Sequence, residues 1–505
     1  MDRHAWNRTA LLTCDQMRRA ELAACENGRA SFSLMQQAGQ AVAQNIIRQW
    51  GPRRTLVLCG PGNNGGDGYV IADELRKAGW EISVASMRPP LSPGNPTHSP
   101  VDAEKAARAW RGPTENLGAI QLDGFGLIVD ALFGAGLNRE LDEATKQLLT
   151  RAAEANVPIV AVDLPTGVNG DTGALMGGAL KANLTITFFR KKLGHCLLPG
   201  ALLCGETRVA DIGVREEVLD NIKPLATENA ADLWLADFPF PKPEGHKYGR
   251  GHALVYGGEL MTGATRLGAR AAQRIGAGLV TLASPEAARH IYAESLESVI
   301  VLPADDLEGW LALLNDPKRN AVLIGPGLGT GRAQQQLVLA ALDCGKTCVL
   351  DADALTNFAS DPSVFLSKLH EKCILTPHTG EFDRLFGHQV DRKADKLTRA
   401  RAAAEISGCV VLLKGADTVI AAPDGRAVIN RNAPPWLATA GSGDVLAGLL
   451  LGLVAQNMAH FDAAAAAAWI HGHIAMGFGP GLIAEDLVAG IPAALKHLSQ
   501  PPGIV

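Results

Sequence analysis

Residues 53–86 read RRTLVLCGPGNNGGDGYVIADELRKAGWEISVAS, and their pattern decides the fold of the first half of the chain. Apolar runs predict one strand over 54–59 and a second strand over 81–86. Between them the pattern predicts a glycine-rich loop over 60–66 and a helix from about residue 67 to residue 78. Strand, helix and strand in this order form a βαβ unit, which implies a parallel sheet.

Polar residues follow this first strand and two later ones. The loop NNGGD ends in Asp67, the apolar run LIVDALF contains Asp130, and VPIVAVD ends in Asp163. The loop has neither GxGxxG spacing nor a GK[ST] sequence, so it predicts no common dinucleotide or Walker A site. Open α/β sheets bind ligands at the carboxyl ends of their strands, and a buried carboxylate needs a partner. The three aspartates therefore predict a polar ligand site in which they share an ion or handle protons; the alternative is a surface turn with Asp67 as a helix cap.

The second half of the chain carries another set of strand-like runs. Helical segments separate most of them, which predicts a second parallel α/β sheet. Most of the runs end in glycine or polar residues, so we expect their loops to converge on one site at one edge of that sheet. The runs are HALVYGG (252–258), GLVTLAS (278–284), SVIVLP (298–303), AVLIGPGLG (321–329), CVLDADAL (348–355), CILTPH (373–378) and VVLLKG (410–415). The next run, TVIAAPDGRAVINR (418–431), is predicted to be a hairpin around its Asp-Gly pair.

Residues 436–448, WLATAGSGDVLAG, form the stretch best suited to phosphate chemistry. A turn of small residues runs into Asp444, and the residues after it have a helical apolar pattern. Backbone N–H groups at a helix start bind phosphate, and the helix dipole is expected to keep Asp444 ionised. Asp444 would then take a proton from a substrate hydroxyl while the N–H groups hold a phosphoryl group. The alternative is an ordinary helix cap.

Composition and charge exclude several classes of function. The chain has 505 residues, with 47 Lys and Arg against 52 Asp and Glu and a formal net charge of −5. No basic stripe or charge run points to nucleic acid or to an anionic membrane. The nine cysteines form no CxxC pair, which predicts free thiols in a reducing cytoplasm. The apolar runs are shorter than a membrane span and no signal peptide is recognised, so a cytoplasmic protein without a membrane partner is expected.

A loss of periodicity over 214–251 predicts the boundary between two domains. The segment DFPFPKPEGHKYGRG (237–251) is rich in proline, glycine and charge, which is typical of a linker. A chain of this length should hold two or more domains, each with its own core. We therefore expect an α/β protein with one domain over 1–220 and a second over 228–505.

The first half resembles the N-terminal epimerase domain of the NAD(P)H-hydrate repair enzymes. The motifs GPGNNGGDG, VDALFGAGL, VDLPTGVNGDTG and TFFRKKLGHCLLPG carry the resemblance, in this order. It implies a Rossmann-like parallel-sheet domain that binds the hydrated nicotinamide nucleotide and holds a potassium ion (K+). Asp163 would be catalytic, and Lys192 is assigned no role. The implied substrate contacts are Asn63, Asn64, Gly65, Gly66, Asp67, Gly134, Ala135, Gly136, Leu137, Asn138, Arg139, Glu140 and Asp163, and the implied potassium ligands are Asn64, Asp130 and Thr166.

The second half resembles the ADP-dependent NAD(P)H-hydrate dehydratases, which have a ribokinase-like α/β fold. The motifs HKYGRG, GGELMTGATRLGARAAQRIGAGLV, IGPGLG, DADAL, TPHTGE, LLKGADTVIA and ATAGSGDVLAG carry this resemblance. It implies that Asp444 is the catalytic base. The implied contacts with the hydrated nucleotide are Ala264, Gly327, His378 and Asp444. The implied contacts with ADP are Lys414, Gly415, Ala416, Asp417, Thr418 and Gly443.

Together the two resemblances imply a bifunctional repair enzyme. The first domain would interconvert the R and S forms of hydrated NADH or NADPH, and the second would dehydrate the S form with ADP, giving AMP and phosphate. Mg2+ is expected because phosphoryl transfer usually needs a cation to neutralise charge. A homo-oligomer without a nucleic acid partner is expected. Two alternatives stay open: a vitamin or sugar kinase with an accessory domain, and a binding protein whose first domain binds a ligand or RNA.

Overall fold

The chain folds into two compact α/β units. The computed structural model describes residues 1–87 and 101–500. One unit is Asn7–Pro224, and the other combines Met1–Trp6 with Leu225–Val505. Both units are built on sheets that are mostly or wholly parallel, so the predicted fold class is confirmed. Within the described residues, no helix is both long enough and apolar enough to cross a membrane.

The first unit contains one sheet of seven parallel strands. The strands along its described residues are β1 (Ala10–Leu12), β2 (Thr55–Cys59), β3 (Ile82–Ser86), β4 (Thr114–Asn116), β5 (Leu127–Ala131), β6 (Ile159–Val162), β7 (Leu184–Phe188), β8 (Lys191–Lys192) and β9 (Glu206–Ala210). The sheet order is β4-β3-β2-β5-β6-β7-β9, and β1 pairs in parallel with β8. The helices up to the end of this unit are α1 (Arg3–Arg8), α2 (Cys14–Glu26), α3 (Ser31–Gln49), α4 (Asn63–Lys77), α5 (Val101–Ala109), α6 (Glu143–Glu154) and α7 (Leu219–Ile222).

Hydrophobic cores cover both faces of this first sheet. Successive residues of a strand point to opposite faces, and all five residues of β2 are buried. Val57 and Cys59 belong to the core that includes α2, α3, α4 and α5. Leu56 and Leu58 belong to the core that includes α6. This double coverage is usual for parallel strands joined by helices, and it leaves the strand ends as the place for a ligand.

The glycine-rich segment after β2 is helical, which corrects the prediction of a loop over 60–66. Helix α4 already begins at Asn63, with Gly62 as its N-cap. The prediction failed because glycine usually weakens a helix, whereas here close packing demands it. A Cβ on Gly65 would lie 1.9 Å from the Gly60 carbonyl oxygen, and one on Gly68 would lie 2.8 Å from Cys59 Sγ. The glycines therefore let the first turn of α4 lie directly against β2.

The second unit contains a larger, mixed sheet. Its strands among the described residues are β10 (Ala226–Glu228), β11 (His252–Tyr256), β12 (Leu279–Ser284), β13 (Ile300–Pro303), β14 (Ala321–Ile324), β15 (Thr347–Leu350), β16 (Cys373–Leu375), β17 (Val410–Leu413), β18 (Thr418–Ala421) and β19 (Ala427–Asn430). Within this unit the order is β13-β12-β11-β14-β15-β16-β17-β18-β19-β10. The strands from β13 to β17 are parallel, β18 is antiparallel to both its neighbours, and β10 is parallel to β19. The seven predicted strands and the hairpin after them are confirmed.

Helices surround this second sheet, and one of them is buried along most of its length. The helices are α8 (Thr262–Arg274), α9 (Glu286–Ser295), α10 (Leu307–Leu314), α11 (Arg332–Asp343), α12 (Asp353–Thr356), α13 (Pro362–Leu366), α14 (Thr379–Phe386), α15 (Lys396–Ser407), α16 (Ser442–Ala455), α17 (His460–Phe478) and α18 (Ala484–Ser499). Every residue of α16 from Val445 onward is buried. A Cβ on Gly448 would lie 2.2 Å from the Gly268 carbonyl oxygen, so glycine lets α16 approach α8 closely. This packing fixes the direction of the helix that begins at the GSGD turn.

The stretch 214–251, in which the sequence shows no periodicity, contains regular structure before the predicted linker at 237–251. Strand β10 lies within it and pairs with β19. Trp234 is fully buried, and its Nε1 donates to Asn229 Oδ1 at 3.2 Å. A three-residue strand followed by single aromatic anchors has no periodicity, so this packing could not be predicted from the pattern of apolar residues. Short 3-10 helices complete the described secondary structure at Leu193–His195, Gly200–Leu202, Glu216–Val218, Ala231–Leu233, Leu235–Asp237, Lys247–Arg250 and Pro435–Leu437.

Candidate active sites

A cavity of ≈ 780 Å³ opens at the carboxyl ends of β2, β5 and β6 in the first unit. Most of the predicted substrate contacts lie on its wall, namely Asn63, Asn64, Asp67, Gly134, Ala135, Gly136, Leu137, Asn138 and Asp163. Gly65 and Gly66 are buried beneath it in the first turn of α4. Arg139 and Glu140 are exposed and do not line the cavity. Three strand ends thus converge on one chamber.

Asp163 holds the central charge of this cavity. Its Oδ1 accepts hydrogen bonds from Lys192 Nζ at 2.6 Å and from Thr187 Oγ1 at 2.9 Å, and its Oδ2 accepts from the Ala135 N–H at 3.0 Å. Burial alone raises the pKa of Asp163, but the charge and hydrogen bond of Lys192 outweigh it, so this pKa lies below its usual value. Asp163 is therefore an ionised carboxylate at neutral pH.

His195 forms hydrogen bonds with the backbone of both members of this ion pair. Its Nδ1 accepts from the backbone N–H of Lys192 at 2.9 Å, and its Nε2 donates to the Asp163 carbonyl oxygen at 2.7 Å. Burial, helped by the nearby Lys192 charge, lowers the pKa of His195 to about 4. The imidazole is therefore neutral, which is the state that its donor and acceptor roles require. Asp163 itself has a φ of 65°, in the left-handed region where few residues other than Gly, Asn and Asp are found.

Two further carboxyl groups line the same cavity. Burial is the largest cause that raises the pKa of Asp67 and of Glu21, and repulsion by Asp163 adds to it, while Lys192 opposes it. The direction of this shift favours the protonated form of Asp67. The cavity thus combines an ionised carboxylate, an ammonium group and carboxyl groups that hold protons more tightly than usual.

The three predicted potassium ligands bring oxygen atoms to the ends of β5 and β6. Asp130 is fully buried; its Oδ1 accepts from Thr166 Oγ1 at 2.7 Å and its Oδ2 from the Thr166 N–H at 2.8 Å. Burial raises the pKa of Asp130 despite these bonds. The Asn64 amide, in the orientation that satisfies both contacts, donates to the Val162 carbonyl oxygen and accepts from the Gly134 N–H, each at 3.2 Å. The donors at this place are carboxylate, amide and hydroxyl oxygens.

In the second unit, the predicted GSGD turn forms the start of α16. Gly441 is the N-cap with a φ of 85°, a left-handed conformation that favours glycine, and Asp444 lies in the first turn. Lys414 Nζ lies 3.5 Å from the position that a Cβ would take on Gly443. The same ammonium group donates to Asp351 Oδ1 at 2.7 Å. The ends of β15 and β17 therefore bring a carboxylate and an ammonium group to the helix start.

Asp444 does not have the low pKa that its helix position predicts. Burial, followed by repulsion from Asp351, raises the pKa of Asp444 to about 6, although Lys414 acts in the opposite direction. Burial lowers the pKa of Lys414, but attraction to Asp351, Glu381 and Asp444 reverses the shift and raises it. The expectation that the helix dipole keeps Asp444 strongly ionised is therefore corrected, because burial and neighbouring carboxylates outweigh the dipole. A carboxyl group with a pKa near 6 is well matched to proton transfer near neutral pH.

The predicted residue His378 caps a helix beside this site. His378 is the N-cap of α14; its Nδ1 accepts from the Gly380 and Glu381 N–H groups at 2.9 and 3.3 Å. Glu381 returns the contact, since its Oε2 accepts from the His378 N–H at 2.8 Å. The imidazole is 54% exposed, whereas the Glu381 side chain is buried. His378 therefore leaves part of its ring open to a ligand while its Nδ1 stabilises the helix.

The predicted ADP contacts at 414–418 form a tight turn between β17 and β18. Thr418 Oγ1 accepts from the Gly415 N–H at 3.0 Å and donates to the Gly415 carbonyl oxygen at 2.7 Å. Asp417 is buried and its Oδ1 accepts from Lys396 Nζ at 2.7 Å. Gly415 and Ala416 are exposed, so a ligand can reach the backbone of the turn. The side chain of Lys396, on α15, thus anchors the turn through its hydrogen bond to Asp417.

The other two predicted contacts, Ala264 and Gly327, come from adjacent segments. A Cβ on Gly327 would lie 2.4 Å from the Met261 carbonyl oxygen, and Gly327 has a φ of 70°. Thr265 Oγ1 donates to the Pro326 carbonyl oxygen at 2.8 Å. The start of α8, which carries Ala264, and the loop after β14 are therefore held together.

Sequence reasoning missed several side chains that share these sites. Lys192, His195 and Glu21 surround Asp163, while Asp351, Glu381 and Lys396 surround Lys414 or its turn. The position of Asp351 at a strand end was visible, but its pairing with Lys414 was not. Lys192 stood in the motif TFFRKKLGH and could have been assigned from it. Lys396 could not be assigned from the sequence, because it lies on α15, well before the turn at 414–418 that it contacts.

Comparisons with known proteins cover both units. A family model described as YjeF-related protein N-terminus matches residues 31–194, and one described as NAD(P)H-hydrate dehydratase matches residues 253–480. A bifunctional NAD(P)H-hydrate repair enzyme Nnr from Salinibacter ruber is 35% identical, and the match covers 95% of this chain and 95% of the relative. The chain belongs to this family. The repair enzyme of Escherichia coli K12 is 34% identical over 94% of this chain and 91% of its own, and the resemblance inferred from the motifs is confirmed.

Solved structures also align with parts of this family member. An ADP/ATP-dependent NAD(P)H-hydrate dehydratase from Bacillus subtilis, co-crystallised with ATP and Mg2+, is 28% identical with a TM-score of 0.47. That alignment covers 54% of this chain and 98% of the other. A ribokinase-like superfamily protein from Enterococcus faecalis is 24% identical with a TM-score of 0.49, covering 55% of this chain and 97% of its own.

Proposed function

We propose that the chain repairs hydrated NADH and NADPH in two reactions. The first unit interconverts the R and S forms of the 6-hydroxy nucleotide. The second unit dehydrates the S form with ADP as phosphoryl donor and releases AMP and phosphate. The observation that carries this proposal is the carboxyl group of Asp444, with a pKa of about 6, at the start of α16 beside Lys414. Membership of the repair-enzyme family supports the presence of both activities in one chain.

In the second unit, Asp444 would act as the general base for phosphoryl transfer. It takes the proton of the 6-hydroxyl as that oxygen attacks the β-phosphorus of ADP, and the bond from phosphorus to AMP breaks. The N–H groups of Gly443 and Asp444, in the first turn of α16, would hold the phosphoryl oxygens, since the Ser442 N–H already donates to the Thr439 carbonyl oxygen at 3.3 Å. The Lys414 ammonium group lies against the same turn and would offset their charge.

Phosphorylation explains why a kinase-like site would serve a dehydration. Phosphate leaves carbon far more easily than hydroxide does. Carbon 6 is bonded to the ring nitrogen, whose lone pair can expel the phosphate. Loss of a proton from carbon 5 then restores the double bond of the dihydronicotinamide ring. The net change is the loss of water from the nucleotide and the hydrolysis of ADP to AMP and phosphate.

In the first unit, Asp163 and Lys192 would carry the epimerisation. The configuration at carbon 6 changes when the carbon–oxygen bond breaks and re-forms on the other face of the ring. The ring nitrogen expels the hydroxyl as water once an acid protonates it, and Lys192 or Asp67 would supply that proton. Asp163, which is ionised, would then take a proton from the water molecule that adds to the opposite face. The two residues are already hydrogen-bonded in the cavity.

Two cations belong to this proposal. A potassium ion fits the ends of β5 and β6, because Asn64, Asp130 and Thr166 offer only oxygen donors that suit a hard cation, and Asp130 is a fully buried carboxylate. It would supply charge that orients the substrate. Mg2+ fits the second unit, where Asp351 and Asp353 raise the pKa of Asp444 by repulsion. It would supply charge that neutralises the transferring phosphoryl group.

The test is incubation of the purified chain with mixed hydrated NADH epimers, ADP, K+ and Mg2+. The absorbance of the reduced nicotinamide should return, and one AMP and one phosphate should appear for each NADH recovered. A phosphorylated vitamin or sugar in place of recovered NADH would favour the small-molecule kinase instead. Unchanged epimers in the presence of folded protein would refute the proposal.

Self-association and location belong to the proposal as well. We expect a homo-oligomer in the cytoplasm that binds no nucleic acid. Light scattering of the purified chain measures the first expectation, and a filter-binding assay with RNA measures the last.

A further inference from the structure

Two cysteine thiols in the second unit share one hydrogen-bond acceptor. Cys344 Sγ donates to the Ala341 carbonyl oxygen at 2.9 Å, and Cys348 Sγ donates to the same oxygen at 3.2 Å. Cys344 is the C-cap of α11, and Cys348 lies in β15. The two sulfur atoms are therefore held close together by a chain reversal of three residues. Both lie at the end of β15 opposite to the end that leads to Asp351.

The surroundings of the two thiols differ in a way that suits a reactive pair. Cys344 is half-buried and reachable by a small reagent, whereas Cys348 is fully buried behind it. The neighbouring Cys348 thiol is the largest cause that lowers the pKa of Cys344. The backbone N–H and the ammonium group of Lys346 act in the same direction, while burial opposes them. The lowered pKa of Cys344 favours its thiolate, although Cys344 caps a helix C-terminus and its protonated thiol donates to the Ala341 carbonyl oxygen.

Lys346 is fixed in place near this pair. Its Nζ donates to the Asp316 carbonyl oxygen at 2.6 Å. Since that partner is a neutral carbonyl group, the positive charge of Lys346 is not cancelled by a hydrogen-bonded carboxylate there. Burial lowers the pKa of Lys346, and attraction to the Cys344 sulfur is the largest influence that opposes this shift.

We propose that Cys344 and Cys348 form an oxidisable dithiol, which a peroxide converts into an intramolecular disulfide. Cys344 reacts first because it is the accessible member. Cys348 is the resolving thiol because it is buried against Cys344 and shares its acceptor. This modification site is independent of both proposed active sites.

The reaction balances in two steps. The Cys344 thiolate attacks one oxygen of hydrogen peroxide, an S–O bond forms, the O–O bond breaks, and the hydroxide released takes a proton to become water. The Cys348 sulfur then attacks the sulfur of the Cys344 sulfenic acid, an S–S bond forms, and the S–O bond breaks. The second hydroxide takes the proton of Cys348. Two thiols and one peroxide give one disulfide and two molecules of water.

The first test compares two half-buried thiols of the same chain. The reduced full-length protein is treated at pH 7 with limiting iodoacetamide, and the alkylated positions are quantified by peptide mass spectrometry. We expect Cys344 to be alkylated at least about fivefold faster than Cys14, because a thiolate reacts and a thiol does not. Cys14 is the matched control, since burial and the Asp171 carboxylate raise its pKa. Equal rates at the two positions would contradict the assigned reactivity.

The second test follows oxidation. Stoichiometric hydrogen peroxide should link the peptides of Cys344 and Cys348 in the folded wild-type chain and leave Cys59 and Cys409 reduced. In Cys348→Ser, Cys344 should stop at the sulfenic acid and be trapped by dimedone. In Cys344→Ser, Cys348 should stay reduced. A link from Cys344 to any other cysteine, or two free thiols after peroxide treatment of the wild type, would overturn the proposal without depending on either variant.

Discussion

Lys192 Nζ donates a hydrogen bond to Asp163 Oδ1 at 2.6 Å, across 29 residues of sequence. The Lys192 side chain is only 1% exposed and that of Asp163 only 13%, so water and salt screen the pair little. The cavity wall thus contains a buried anion and a buried cation, and each compensates the charge of the other. The proposed epimerisation depends on this pair as a unit.

Asp163→Ala should abolish epimerisation and leave ADP-driven repair of the S form intact. The substitution removes the carboxylate that accepts the proton, and losing such a group typically costs roughly 10²–10⁴ in rate. Asp163→Asn should give the same loss with less strain, because Asn tolerates the left-handed backbone at this position. The measurement is interconversion of a pure R sample by chiral chromatography. Normal epimerase turnover in either variant would remove Asp163 from the reaction.

Lys192→Met should destabilise the first unit at neutral pH by about 3–5 kcal/mol, since it leaves a buried carboxylate without its cation. The pKa of Asp163 is lower in the folded state than in the unfolded chain. The ionised Asp163 therefore stabilises the folded state above the unfolded pKa, and this stabilisation is lost as pH falls through the folded pKa. The destabilisation should therefore shrink below about pH 4. The double variant Lys192→Met with Asp163→Asn should recover part of the loss. Denaturant unfolding across pH measures all three chains, and a double variant less stable than Lys192→Met would contradict the pairing.

Much of the first unit's fold was predictable because parallel strands are short apolar runs with polar ends. The residues 54–59 and 81–86 were recognised on that pattern, and the structure has strands there. The helical start of α4 was not predictable, since it depends on a contact between Gly65 and the Gly60 carbonyl oxygen that exists only after folding. Propensity disfavours glycine in helices, and tertiary packing reversed that preference.

Asp444→Asn should lower the dehydration rate by roughly 10²–10⁴ while ADP affinity changes little, because Lys414 and the turn at 414–418 are retained. In the wild type, the rate should fall as pH drops through about 6, where Asp444 takes up a proton. Initial rates and ADP titrations on the same preparation measure both quantities. Asn caps a helix about as well as Asp, so a mere cap would leave the rate within a few-fold of the wild type.

The same substitution should stabilise the second unit at pH 8, because it removes a buried charge. The pKa of Asp444 is higher in the folded state than in the unfolded chain. Protonation of Asp444 therefore stabilises the folded state fully below the unfolded pKa, and this stabilisation is lost as pH rises through about 6. The gain of Asp444→Asn should therefore be on the order of 1–2 kcal/mol at pH 8 and vanish near pH 4. Urea unfolding at the two pH values measures it. A loss of stability at pH 8 would show that the Asp444 carboxylate is held by favourable contacts instead.

Lys396→Ala should raise the KM for ADP by about fivefold or more and change kcat little. Lys396 Nζ holds Asp417 Oδ1 at 2.7 Å, and this contact fixes the turn that would meet ADP. Lys396→Arg should restore much of the affinity because it keeps the positive charge. Lys368→Ala is the matched control: Lys368 forms an exposed ion pair with Asp343, which contributes little. An unchanged KM in Lys396→Ala would contradict this role in ADP binding, and a lowered resistance to unfolding alongside it would assign Lys396 to stability alone.

Site residues could be predicted where they belong to a recognisable motif. They could not be predicted where folding brings in a partner from a distant part of the sequence. Asp163 and Asp444 stood in recognisable stretches, and the structure places each beside an ammonium group. The partner of Lys414, Asp351, lies 63 residues away in sequence. Burial and these distant charges set the pKa of Asp444, so the dipole argument from its own helix gave the wrong direction.

The most direct measurement starts from the pure R form of hydrated NADH with ADP, K+ and Mg2+. We predict that the wild-type chain restores the absorbance of the whole sample, because Asp163 supplies the S form and Asp444 consumes it. Asp163→Asn should recover NADH only at the rate of spontaneous epimerisation, and Asp444→Asn should give mixed epimers without NADH. Recovery at the wild-type rate in either variant, or none in the folded wild type, would contradict the assignment of one reaction to each unit.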